Sequence, residues 1–374
     1  MKDHRITKLA DVLVNYSLAV QPGDRVAIQG ETPAAELIKA IYAEVLRAGG
    51  YPLVWPMLPG LDEILYAEAS DEQLQHIAEP LKLVTETYEC RISIRAAENT
   101  KSLSSADPAR MVLRNQALGG LMKTFMERSA SGELRWTTTL FPTNAHAQDA
   151  QMNLAEYEDF VYGACMPDLD DPVGYWRGFS SWQQKIVDWL KGKEQIHVLG
   201  RETDLRLNIA GRTFINSDGR HNMPSGEVFT GPVEDSVEGH VYFSYPAILR
   251  GREVTGVRLS FEKGRVVEAS AEKDEEYLLQ MLDTDEGSRY LGEFAIGTNE
   301  GIQRFTGEIL FDEKIGGSFH LALGAGYPET GSVNVSSVHW DMICDLRDGG
   351  RIVVDDDLLY ENGDFVIDFG PRPK

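Results

Sequence analysis

The sequence predicts a two-domain chain: an α/β N-terminal domain with a helix-flanked sheet over residues 1–195, and a β-rich, α+β C-terminal domain over residues 196–374. Three observations lead there. At 374 residues the chain exceeds the size at which a single hydrophobic core stops growing. Up to about residue 105, helical and strand-like apolar patterns alternate, as a parallel sheet with crossover helices requires. After Gln195 the dominant period becomes two, punctuated by hairpin turns.

The elements follow in order. Leu9, Val12, Leu13 and Tyr16 recur at helical spacing and make an apolar stripe. Pro22-Gly23-Asp24 is a turn that delivers the chain into a short strand, Arg25 to Ile28. Pro33 to Ala48 forms an amphipathic helix stopped by Gly49-Gly50, and Tyr51 to Trp55 a second strand, which completes a βαβ unit. Asp71 to Ala78 is helical, and Cys90 to Ile94 is a third strand. From Ala106 to about Gly192 the pattern is mostly helical, with amphipathic runs at 107–129 and 181–190 around a strand at 134–140. Beyond Gln195, residues 203–215, 239–250 and 252–269 alternate polar and apolar, with Lys263-Gly264 turning one strand into the next. One helix, Asp274 to Met281, interrupts the strands, and turn signals at 348–350 and 361–364 close the chain on hairpins.

Composition narrows the chemistry. Thirty-six Lys and Arg against 59 Asp and Glu give a formal net charge of −23, which repels nucleic acid and anionic membrane surfaces. Three cysteines, Cys90, Cys165 and Cys344, without C-x-x-C spacing, argue against both a disulfide framework and a thiolate zinc site. They read as buried free thiols in a reducing compartment. A charged N-terminus without an apolar core segment, and the lack of an uncharged run long enough to span a bilayer, fit a soluble, cytoplasmic protein. H-E-x-x-H, G-x-S-x-G and the P-loop pattern are all missing, so zincin, nucleophile-elbow and P-loop chemistry lack their defining residues.

One region concentrates hard donors. Between Glu293 and Asp341 stand two acids, Glu293 and Glu313, then His320, Tyr327 and the pair His339-x-Asp341. In 318–323, period two puts Phe319, Leu321 and Leu323 on one face and His320 with Ala322 on the other. In 338–343 it sets Val338, Trp340 and Met342 against His339 and Asp341, which then lie roughly 6.5–7 Å apart on one strand face. Upstream, the glycine- and proline-bounded segment 222–232 is rigid enough to aim Glu227 at a fixed point. Such oxygen and imidazole donors suit a two-metal hydrolytic centre of zinc, cobalt or manganese. Other histidines, including His76, His146 and His221, show no partner pattern.

The runs G-E-V-F-T-G-P, L-G-E-F, L-F-D-E-K-I-G-G-S-F-H-L-A-L-G-A-G-Y-P and H-W-D resemble the aminopeptidase T and aminopeptidase S family of dinuclear metallo-aminopeptidases. Segments 9–50 and 136–143 extend the likeness over nearly the whole chain. The resemblance implies Glu227, Glu293, His320, Tyr327, His339 and Asp341 as metal ligands, with Glu293 bridging two divalent ions. It makes Glu313 a base or ligand at the metal site, and gives Tyr327 either a weak ligand role or a hydrogen bond to the tetrahedral oxyanion. It further implies peptide substrates cut at the amino end, and a homodimer. The chain departs from the thermophilic branch in reading F-D-E-K-I-G-G-S-F-H rather than F-D-E-N-A-A-S-H, and in its short segment between Tyr327 and His339. A different dinuclear amidohydrolase, or a catalytically silent peptide-binding protein, would use the same donors. The lack of a clustered Arg/Lys motif near the ligands speaks against a phosphorylated substrate.

Overall fold

The computed structural model describes residues 3–166 and 169–373. By its internal contacts the chain divides into two compact units, Met1–Trp176 with Gly219–Met223, and Arg177–Asp218 with Pro224–Lys374.

The first unit holds a five-stranded parallel sheet in the order Tyr51–Met57, Arg25–Glu31, Cys90–Arg95, Arg135–Leu140, Asn222–Met223. Val26, Ile28, Ile92 and Ile94 fill its buried positions, and the helix Ala35–Arg47 contributes Leu37, Ile38, Ile41 and Val45 to the core. The helix-flanked parallel sheet expected from the N-terminal pattern is therefore present, with a fifth strand the pattern did not reveal. That strand is two residues long, Asn222 and Met223 beside Thr138 and Thr139, and far too short to show a period.

The second unit is antiparallel. An eight-stranded sheet runs from Arg265–Ser270 to Asp364–Phe365, and a five-stranded sheet runs in the order His339–Asp345, Ser318–Gly324, Leu291–Gly297, Glu227–Thr230, Ile215–Ser217. The turn Lys263-Gly264 has positive φ at both residues, as a tight hairpin of this twist demands. The chain passes from the first unit to the second within the helix Pro172–Leu190, whose residues from Arg177 onward belong to the second unit. Its Gln183 side chain donates to Asn216 Oδ1 and to the carbonyls of Ser217 and Glu227, and accepts from Thr298 Oγ1.

In the five-stranded sheet, every residue of Leu291–Gly297 and of Ser318–Gly324 is buried. One face carries Phe294, Leu321 and Met342 in register, with Leu323 beside Trp340 and Phe319 beside Cys344. Burying each such side chain contributes roughly 1.5–3 kcal/mol, so this face fixes the sheet as a rigid platform. The other face carries the site. All three cysteines are buried free thiols, and among the described residues no helix is long and apolar enough to cross a membrane.

Candidate metal centre

Antiparallel register decides which donors meet. Residues directly opposite in such a ladder point to the same side of the sheet. Glu293 lies opposite Ala322, which lies opposite Asp341; Ala295 lies opposite His320, and Gly297 opposite Glu227. Residues two apart share a face, so Glu227, Glu293, His320, His339 and Asp341 all project from one side. The positions between them are Ala295, Ala322 and Gly297, small enough to leave the space open. Gly297 tolerates nothing larger, since a Cβ there would sit 2.2 Å from the Ile315 carbonyl oxygen. Gly226, at φ +128°, makes the turn that brings the chain into the Glu227 strand.

Ligand atoms of Glu227, Glu293 and His320 lie within 4.8 Å of one another, and so do those of Glu293, His339 and Asp341. Glu293 belongs to both groups. His320 Nε2 stands 3.4 Å from Glu293, 3.7 Å from Glu227 and 3.9 Å from Asp341. His339 Nε2 is 3.4 Å from Asp341 and 3.6 Å from Glu293. These separations exceed the roughly 2.7–3.2 Å of a well-made N–H···O bond. The donors surround a gap rather than bonding one another, and Glu227 Oε2 is buried there without a hydrogen-bond partner.

The imidazoles are oriented differently. His339 Nδ1 lies 2.8 Å from the Ala325 carbonyl, which as acceptor fixes the proton on Nδ1 and leaves Nε2 free to act as a ligand. His320 has no such bond at Nδ1. Its side chain is 1 % exposed against 28 % for His339, so the site opens on the His339 side.

Charge is dense. Burial pushes Glu227, Glu293 and Glu313 above the ordinary carboxylate range. Burial opposes the His320 imidazolium, but Glu293, Glu227 and Asp341 outweigh it and push it up to about 9. His339, likewise opposed by burial, is raised to about 10 by Asp341, Glu293 and the Ala325 carbonyl. Burial also works against ionised Asp341, yet His339, His320 and Lys314 hold it down at about 2.

Tyr327 follows the His320 strand and sets its ring edge-on against His339, centroids 5.2 Å apart, and against Phe229 at 5.5 Å. Burial, followed by the charges of Glu293 and Asp341, keeps its phenol protonated well above the usual range. The loop beyond it is anchored by Glu234, which accepts from Val333 N and Ser332 Oγ, and by Asn334, which donates to the Gly287 and Gly324 carbonyls. Glu313 sits after the helical turn Ile309–Asp312 and contacts the ammonium of Lys314, which is itself fully buried and 3.8 Å from Glu227. A single basic group, Lys314, thus lies among the candidate donors, paired with the neighbouring Glu313. The sequence reading passed over Gln183.

Buried carboxylates and imidazoles grouped on a rigid antiparallel sheet define a candidate metal-binding centre. The chain belongs to the thermophilic metalloprotease (M29) family, whose pattern it matches over residues 2–365. It is 27% identical to aminopeptidase 2 of Geobacillus stearothermophilus over 98% of this chain and 94% of that protein. It is also 27% identical to aminopeptidase T of Thermus thermophilus, over 96% and 95% of the two chains. The solved structure of wild-type AmpT from Thermus thermophilus superposes with a TM-score of 0.85 at 24% identity, covering 97% of this chain and 99% of that one. A 2,5-dihydroxypyridine dioxygenase from Pseudomonas putida KT2440 shares the fold more distantly, with a TM-score of 0.62 at 14% identity over 98% of each chain. One architecture thus carries different chemistries, and function has to be argued from the site.

Proposed function

We propose that this chain is a metal-dependent aminopeptidase that removes N-terminal residues from peptides, using a pair of divalent ions. The observation that carries the reading is the stand-off: five donors converge on a buried gap at 3.4–3.9 Å and Glu293 belongs to both donor groups. Glu227, Glu293 and His320 would hold one ion, and Glu293, His339 and Asp341 the other, with Glu293 bridging. The donor set is all oxygen and imidazole, which suits zinc, cobalt or manganese. When bound, such a pair lowers the pKa of a water and polarises the scissile carbonyl.

The chain's own residues supply the rest. Glu313, its carboxyl raised by burial, takes a proton from the attacking water and delivers it to the leaving amine. Tyr327, which keeps its phenolic proton, donates a hydrogen bond to the oxyanion of the tetrahedral intermediate. The surplus of carboxylates draws in the free α-amino end of a peptide, which directs cleavage to the first bond. The homodimer and the cytoplasmic setting belong to the same proposal, and sedimentation of the purified chain tests the first.

A panel of aminoacyl-nitroanilides, assayed before and after exhaustive chelation, tests the function. Activity should vanish on chelation, return with zinc, cobalt or manganese, and be missing on N-acetylated substrates. Turnover untouched by chelation, or equal on blocked and free amines, overturns the reading.

A further inference from the structure

The two donor groups hold the same inventory, two carboxylates and one imidazole each, so the donors alone would give them similar affinities. A fixed cation breaks that equality. Lys314 is fully buried, with its ammonium bonded to Glu313 Oε1 and 3.8 Å from Glu227 Oε1. Its backbone is pinned on both sides: its N–H donates to the Phe311 carbonyl and its own carbonyl accepts from Asn299 N–H. Ile315, the next residue, is buried and bridges to Asn299. Glu227, the carboxylate that Lys314 approaches, belongs to the first group and not to the second, while the charge of Lys314 reaches Asp341 of the second group more weakly.

We infer that Lys314 makes the two ion sites unequal: its positive charge competes for Glu227 with the ion held by Glu227, Glu293 and His320. The Glu293–His339–Asp341 site fills first and tightly, and the other fills later and weakly. The inference rests on the two-ion reading above. Like charges a few ångströms apart in a protein interior repel strongly even at an effective permittivity of about 20, and the expected gap between the two dissociation constants is about a hundredfold.

The experiment titrates the full chain, stripped of metal, with zinc against a chromophoric chelator, and counts bound zinc by elemental analysis. Wild type should bind two ions in resolved steps. Lys314→Met keeps length and removes the charge, and should tighten the weak step to within about tenfold of the strong one while changing the strong step less. Lys314→Gln, which retains a hydrogen bond to Glu313, should do the same if charge is the cause, and serves if the methionine variant unfolds. Glu227→Gln in the wild-type background should abolish the weak step and spare the tight one. Two equal steps in wild type, loss of the tight step in Glu227→Gln, or an unchanged gap in folded Lys314 variants overturns the inference and leaves the two-ion reading standing. Failure of the wild-type chain to bind zinc at all overturns both.

Discussion

Proton competition at His320 and His339 gives a measurable signature of the centre. In the metal-free protein the two imidazoles lose their protons only near 9 and near 10, respectively, because buried carboxylates surround them. An imidazole must be neutral to act as a ligand, so each ion that binds at neutral pH expels one proton. The sign follows: affinity rises with pH, about tenfold per unit for each ion, until the imidazole concerned is already neutral. At pH 7.5 both sites are then weakened by roughly one to two powers of ten relative to their high-pH limits. Titration calorimetry at pH 6.5–8.5, in buffers of different ionisation enthalpy, reads both the affinity and the protons released. Flat affinity across that range with no proton release would show that the imidazoles do not bind the ions, and the site assignment would fall with it.

Three further outcomes follow from the geometry. Glu293→Ala removes the carboxylate common to both donor groups and should abolish binding of both ions, whereas His76→Ala leaves metal content and activity intact; full metal content in the Glu293 variant removes the bridge. Tyr327→Phe should keep ion affinity within about threefold but lower kcat by roughly a hundredfold, the cost of one oxyanion donor; an unchanged kcat assigns Tyr327 to packing against His339 and Phe229 alone. Gln183→Leu leaves the Ser217 and Glu227 carbonyls, Asn216 and Thr298 short of a partner inside the second unit. It should cost about 3 kcal/mol in urea unfolding and weaken ion binding at Glu227, and a change under about 0.5 kcal/mol would show that water replaces the amide.

Part of the site is local, and that part was legible. His339 and Asp341 are two residues apart in one strand, so period two alone places them on one face, as it places His320 opposite Phe319 and Leu321. Glu227 and Glu293 drew attention through the motifs around them, since a glutamate beside a turn carries no geometric signal of its own. Lys314 lies in an irregular segment between the helical turn Ile309–Asp312 and the strand Ser318–Gly324, where no periodicity says which way a side chain points. The helix Pro172–Leu190 shows the same limit at larger scale. Its apolar stripe announces a helix but not which neighbours will cover it, nor that the chain passes between units inside it.

The amino-acid sequence by itself determined the alternation of helices and strands in the first unit, the β character of the second, and the alternating faces of the strands that carry His320, His339 and Asp341, because these are set by neighbours within a few residues. Tertiary structure alone decided that Glu227 meets His320 across the sheet, that Glu293 is shared, and that a lysine is sealed in beside them. Those outcomes depend on the register of strands about a hundred residues apart, where a slip of one residue would turn a strand's candidate donors to the opposite face.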